Sequence, residues 1–149
     1  MNCLSLFSNV GIGETYFEKF GVEVVVANEL LPERAEFYKH LHPNTEMICG
    51  DITSQEVQNR IVRACKGYGP IDLIVATPPC QGMSIANAKR SEKNDPRNAL
   101  IRNVVSLVSK LKPKYVLIEN VPGMSKRKTA ILDEEGNSTS IMSYLMDSA

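Results

Sequence analysis

No apolar run in the chain reaches the roughly 20 residues that a membrane-spanning helix requires, so no membrane partner is expected. The opening residues, MNCLSLFSNVG, carry neither a basic leader nor a small-residue cleavage site, so the expected compartment is the cytosol. The four cysteines (Cys3, Cys49, Cys65, Cys80) form no Cys-x-x-Cys pair and have no partnering histidines. That argues against a zinc site, so reduced thiols and no metal are expected. The two histidines, His40 and His42, are one residue apart, a spacing that suits a solvent-facing loop. There is no excess of one charge either: 17 basic and 17 acidic residues cancel, whereas a dedicated nucleic-acid-binding module is normally basic. Repeats and low-complexity tracts are absent as well. The 149 residues make one domain, with the 43% apolar and 23% charged content of a soluble globular protein.

What is present is an alternation of short β-branched runs with amphipathic helices. Residues 3–7 read as a strand, followed by a glycine-containing turn and a helix over residues 14–20 that stops at Gly21. The run VEVVVA (residues 22–27) is apolar but for Glu23, as expected of a strand buried on both faces. Pro32 opens a helix with Ala35, Tyr38 and Leu41 on one side. Residues 47–49 form a short strand. Thr53 and Glu56 make a capping-box pattern for a helix whose Val57, Ile61 and Cys65 face the core. Residues 71–76 are the fourth strand, residues 77–97 a loop, Leu100 to Leu111 the clearest helix, and residues 115–118 the fifth strand; residues 140–146 suit a last helix. Five strands with intervening helices predict a doubly wound, mostly parallel α/β sheet of Rossmann-like type.

Ligands of such sheets bind beyond the carboxyl ends of the strands. Every one of the five ends here carries polar or special residues, and five on one rim form a constellation. Gly11 and Gly13 allow a sharp turn and close approach of a ligand. Glu29 can accept hydrogen bonds from both hydroxyls of a ribose, while Asp51 can receive an adenine amine with Ile52 packed on the base. These residues describe an adenosine-bearing cofactor. A nicotinamide dinucleotide fits less well, because G-x-G-x-x-G is represented only by Gly11-Ile12-Gly13-Glu14-Thr15-Tyr16. Glu14 would also place negative charge where a pyrophosphate needs positive potential, which favours an uncharged or cationic linkage such as a sulfonium. Pro78 and Pro79 stiffen the segment before Cys80 and remove two backbone donors, giving a mounted, candidate nucleophilic thiol. Glu119, at the neighbouring strand end, can act as an acid or hydrogen-bond donor.

These residues carry a resemblance to the DNA (cytosine-5) methyltransferase family: Leu6-Phe7-Ser8 with its glycine turn, Asn28-Glu29, Gly50-Asp51-Ile52, Pro78-Pro79-Cys80-Gln81, Asp95-Pro96-Arg97-Asn98-Ala99-Leu100 and Glu119-Asn120-Val121, in the family's order over residues 3–124. The resemblance implies S-adenosylmethionine as cofactor and a cytosine flipped out of DNA as substrate. It implies catalytic roles for Cys80 and Glu119. Phe7, Gly11, Gly13, Glu29, Asp51, Ile52, Pro78 and Leu100 would line the cofactor pocket. Gln81, Ser84, Arg97 and Asn120 would support the substrate site. Residues 81–97 would close over DNA, which gives Lys89, Arg90, Lys93 and Arg97 a purpose; Lys126, Arg127 and Lys128 form a second basic cluster.

A cytoplasmic, nucleoid-associated enzyme of bacterial or phage restriction-modification type follows from the same resemblance. Two departures stand out in the first turn, where Asn9 and Ile12 replace family glycines; Asn9 suits a left-handed backbone better than Ile12 does. The larger departure is extent. Residues 1–149 correspond to the N-terminal part of the catalytic domain, with five of seven strands. The Gln-x-Arg-x-Arg segment, the target-recognition domain and the C-terminal helix are not among them, so a complementary C-terminal portion or subunit is expected to be required. Two other readings remain open: a non-catalytic cofactor-binding or interaction module derived from the family, and a tRNA cytosine-5 methyltransferase.

Overall fold

The fold is seen in a computed structural model, which describes residues 1–79, 100–119, 131–132 and 138–139. Its centre is a parallel sheet in the order β3-β2-β1-β4-β5, formed by β1 (Asn2–Leu6), β2 (Glu23–Glu29), β3 (Glu46–Cys49), β4 (Leu73–Ala76) and β5 (Tyr115–Ile118). Chain order reverses direction between β1 and β4, the place in such a sheet beyond whose carboxyl ends ligands generally bind. The β1–β2 register shifts between Cys3 and Leu4. A separate two-residue antiparallel pair, β6 (Ile131–Leu132) with β7 (Ser138–Thr139), was not evident in the sequence.

Helices cover both faces of the sheet. On one face lie α2 (Gln55–Tyr68) and α3 (Leu100–Leu111), whose Val57, Ile61, Cys65, Ile101, Val104 and Leu107 pack on Leu4, Leu6, Val26 and Ile74. On the other lies α1 (Pro32–Leu41), whose Tyr38 packs with Cys3, Val24, Ala27 and Val75. This is the doubly wound α/β architecture expected from the alternating pattern.

Three local expectations are corrected. Residues 14–20 do not form one helix but two 3₁₀ turns, Ile12–Glu14 and Phe17–Phe20, because the left-handed Gly11 and the irregular Tyr16 (φ −107°, ψ 3°) interrupt the α geometry. The capping box at Thr53 and Glu56 does not form: Ser54 is the N-cap of α2, and no side chain bonds the cap there. Leu41 does not share the buried side of α1 with Ala35 and Tyr38; it is exposed at the last turn.

β5 pairs with β4 on one side only among the described residues, and Tyr115, Val116 and Leu117 are 61%, 42% and 53% exposed. Alternate residues of a strand point to opposite faces, so both faces of β5 are open. The helix expected over residues 140–146 lies outside the described residues.

Candidate active site

The exits of the strands are fastened to one another. Beyond β1, the Ser8 amide and hydroxyl both donate to the Asn28 carbonyl on β2, at 3.1 and 2.9 Å. The Asn9 amide donates to Glu29 Oε2 (2.9 Å), and the Leu31 amide to Glu29 Oε1 (3.0 Å). Glu29 is thus buried at the rim with each carboxylate oxygen accepting one backbone N–H, and each retains a second lone pair. Asn28 links β2 to β3, donating from Nδ2 to the carbonyls of Ile48 (2.8 Å) and Gly50 (3.1 Å). This role is legible only in part from sequence: a polar residue ending an apolar strand signals a rim, but not which carbonyls it holds.

At the β3 exit Asp51 is exposed, its Oδ1 accepting the Thr53 amide at 2.8 Å, and the Ile52 side chain is buried. At the β4 exit the Thr77 amide donates to the Leu6 carbonyl (3.2 Å) and its Oγ1 to the Phe7 carbonyl (3.0 Å). Pro78 is buried and Pro79 exposed. The β5 exit is held to β4 by the Glu119 amide, which donates to the Ala76 carbonyl at 3.0 Å; the Glu119 side chain is exposed. Leu100, half-buried, opens α3 and packs on the same core as Ile52 and Phe7. The structure therefore brings Phe7, Glu29, Asp51, Ile52, Pro78, Leu100 and Glu119 to one rim. Cys80, Gln81, Ser84, Arg97 and Asn120, together with both basic clusters, lie outside the described residues.

The β1 exit departs from ordinary backbone. Phe7 (φ 59°) and Asn9 (φ 53°) are both left-handed, a conformation rare for a bulky aromatic and tolerable for asparagine. The hydrogen bonds of Ser8, Asn9 and Thr77 hold it there. Ile12 has no left-handed φ and is 73% exposed, so its side chain is accommodated by pointing into solvent.

Gly11 and Gly13 separate in role. Gly11 is left-handed (φ 79°), and a Cβ on it would lie 2.5 Å from His42 Nε2 and 2.7 Å from Tyr38 Cε2. Its glycine requirement comes from α1 packing beneath the turn. Gly13 faces open space, with no atom within 4 Å of a built Cβ. Gly11→Ala is expected to lower stability by about 2–4 kcal/mol, from the left-handed strain and the collision together. Gly13→Ala should change it by less than about 1 kcal/mol. Urea denaturation of the two variants checks the contrast.

Two further expectations change. Glu14 does not project toward a linkage at the rim: it is buried, and its carboxylate accepts hydrogen bonds from the Ser5 and Tyr38 hydroxyls. The electrostatic argument against a pyrophosphate therefore loses this residue. Burial first, and then the Glu14 charge, raise the Tyr38 phenol above its ordinary range. His42 is not solvent-facing. Its ring stacks on Tyr38 with centroids 4.6 Å apart, and Nε2 lies 3.0 Å from the Gly11 carbonyl.

A Rossmann-like sheet with an acidic β2 exit, an Asp-Ile β3 exit and a Pro-Pro β4 exit has the form of a methyltransferase catalytic core. The comparisons agree on which kind: the family model described as C-5 cytosine-specific DNA methylase matches residues 1–145, and the chain belongs to that family. The Type II methyltransferase M1.HgaI of Avibacterium volantium is 44% identical over 126 residues, covering 83% of this chain and 35% of that protein. M.AquIA of Picosynechococcus is 36% identical over 121 residues, covering 81% of this chain and 48% of that protein. The chain thus spans between a third and a half of the length of these relatives. Among solved structures, a prophage-encoded E. coli protein described as a candidate DNA modification methyltransferase superposes with a TM-score of 0.72 at 27% identity, over all of this chain and 37% of its own. DNMT2 of Spodoptera frugiperda shares the fold, with a TM-score of 0.65 at 24% identity over 99% of this chain and 40% of its own.

Proposed function

We propose that the chain forms the N-terminal catalytic portion of a DNA cytosine-5 methyltransferase of restriction-modification type, working with a C-terminal segment or partner chain that completes the domain. The observation that carries this reading is the fastening of the β1, β4 and β5 exits through Thr77–Phe7 and Glu119–Ala76. It sets Glu119 beside the segment that leads through Pro78-Pro79 into Cys80.

The rim fits S-adenosylmethionine on three counts. Glu29 keeps one lone pair free on each oxygen for the ribose hydroxyls, Gly13 leaves open space, and Ile52 supplies a buried apolar wall beside the free Oδ2 of Asp51. When bound, the cofactor supplies an activated methyl group. Phe7, Gly11, Pro78 and Leu100 would complete its surroundings. The Cys80 thiolate would add to C6 of a flipped-out cytosine, forming the S–C6 bond and moving the C5–C6 π electrons to C5 so that this carbon becomes nucleophilic. Glu119 would engage N3 and the exocyclic amine, where negative charge develops. After methylation a base removes the C5 proton, and the electrons of that bond expel the thiolate. Gln81, Ser84, Arg97 and Asn120 would brace the cytosine and its loop. Among the described residues no helix is long and apolar enough to cross a membrane; a cytoplasmic, nucleoid-associated placement is part of the same proposal.

The test is methyl incorporation by the chain combined with its completing C-terminal portion, on DNA and on tRNA in parallel. Incorporation at cytosine C5 of DNA is the expected result. Incorporation into tRNA alone would overturn the choice of substrate. None in either, with a folded complex, would favour a non-catalytic module.

A further inference from the structure

Gln58 is the one buried polar side chain on α2, and its carboxamide has no free hydrogen-bonding capacity. Its Nε2 donates to the Ile52 carbonyl at 3.0 Å and to Asn103 Oδ1 at 2.9 Å. Its Oε1 accepts from Ser106 Oγ at 3.3 Å and from Lys110 Nζ at 3.1 Å. A primary amide offers two donors and two lone pairs, and all four are used. The chemistry of the partners fixes the orientation of the amide, since a backbone carbonyl only accepts and an ammonium only donates.

The partners lie on two elements. Ile52 belongs to the turn leaving β3, which is anchored to β2 through Gly50 and closed by two bonds to Asp51, from the Thr53 amide (2.8 Å) and the Ser54 amide (2.9 Å). Asn103, Ser106 and Lys110 recur at i, i+3 and i+7 and form a polar stripe on α3. The stripe runs beside Val104 and Leu107, which are in the apolar core. An apolar α2–α3 contact would tolerate sliding, whereas a saturated amide between the helices has one register in which no buried group is orphaned.

We infer that Gln58 is a positioning residue that registers the Asp51–Ile52 turn against α3, and so holds Ile52 and Leu100 at a fixed separation. The inference rests on the cofactor reading above, in which Ile52 and Leu100 both face the adenosine end of the ligand. Gln58 lies under the turn, acts through the Ile52 carbonyl, and touches neither cofactor nor cytosine.

The test compares the wild-type chain with Gln58→Met, which keeps the volume and removes all four bonds, and with Asn103→Ala, which removes one partner. Hydrogen exchange in the cofactor-free protein is the first readout. In Gln58→Met the amides of Thr53 and Ser54 should exchange at least about tenfold faster, while those of β1 and β4 stay unchanged. The second readout is calorimetric affinity for S-adenosylhomocysteine, measured where all variants are fully folded. It should weaken about tenfold in Gln58→Met, and the loss should be less than additive with Ile52→Ala. Asn103→Ala should shift both readouts in the same direction by less, and it carries the test if Gln58→Met does not fold.

Unchanged exchange in the turn would overturn the inference, as would faster exchange with undiminished affinity or with full additivity. A wild-type chain that binds no cofactor while its turn responds to Gln58→Met would instead overturn autonomous cofactor binding by this chain and leave the positioning role standing.

Discussion

Cys80→Ala, assayed with the completing C-terminal portion present, is expected to lower methyl transfer to cytosine by about 10⁴-fold or more, the scale on which removal of a covalent nucleophile acts. C5 of cytosine is a poor nucleophile until a group adds at C6, so loss of the thiolate removes the step that creates reactivity. Affinity for S-adenosylhomocysteine should stay within about twofold of wild type, because the hydrogen-bonding cofactor residues lie on the β1, β2 and β3 exits and keep their bonds. Glu119→Gln should retain part of the activity, since the amide still donates, but it carries no carboxyl to shift its charge as the ring does.

Two of the other three thiols are set aside by their burial, while Cys49 is half-buried at the end of β3. Cys3 and Cys65 are fully buried, and burial pushes both up to about 12, so neither is a nucleophile at neutral pH. Full activity in Cys80→Ala, measured as labelled methyl incorporation, would sink the assignment.

The parts of the fold legible in the sequence were those in which one local signal dominates. The run from Val22 is apolar apart from the exposed Glu23 because β2 is covered on both faces, and the β-branched run Tyr115–Ile118 reads as a strand by itself. The rim could be read from the polar residues that end apolar strands. What was not legible depends on partners distant in sequence. Glu14 reads as a charge facing the cofactor linkage until Ser5 from β1 and Tyr38 from α1 arrive to donate to it. His42 reads as loop until the ring of Tyr38 lies beside it, and the glycine at position 11 reads as a ligand-approach residue until His42 fills the space a Cβ would take. Gln58 reads as one more polar position on an amphipathic helix, because its four partners lie 6 to 52 residues away in the chain. Pattern reports which face an element buries; it does not report which polar groups meet there.

Raising the pH from 9 to 12 is expected to unfold the protein, and the sign follows from the two buried thiols. The ordinary value of 9.0 is raised to about 12 for both Cys3 and Cys65, chiefly by burial, with the Glu14 charge adding at Cys3 and the Glu46 charge at Cys65. A raised native value means that the folded state keeps its protons while the unfolded chain releases them. Below pH 9 both states are protonated and the stability is fully present. Above it the unfolded state gains free energy by ionising, and stability falls until the native thiols ionise near pH 12.

At about 1.4 kcal/mol per pH unit, each thiol removes on the order of 4 kcal/mol over this window. Two thiols together approach the 5–15 kcal/mol that typically separates folded from unfolded domains. Tyr38, raised for the same reasons from an ordinary value of 10.0, acts in the same direction. Urea midpoints measured under reducing conditions should therefore decline steeply between pH 9 and 11. In Cys65→Ala the curve should start about 1–2 kcal/mol lower at pH 8, from the cavity, and decline less steeply, so that it crosses the wild-type curve. A midpoint that stays flat from pH 9 to 11, or parallel curves for the two proteins, would show that these thiols are not held protonated by the fold.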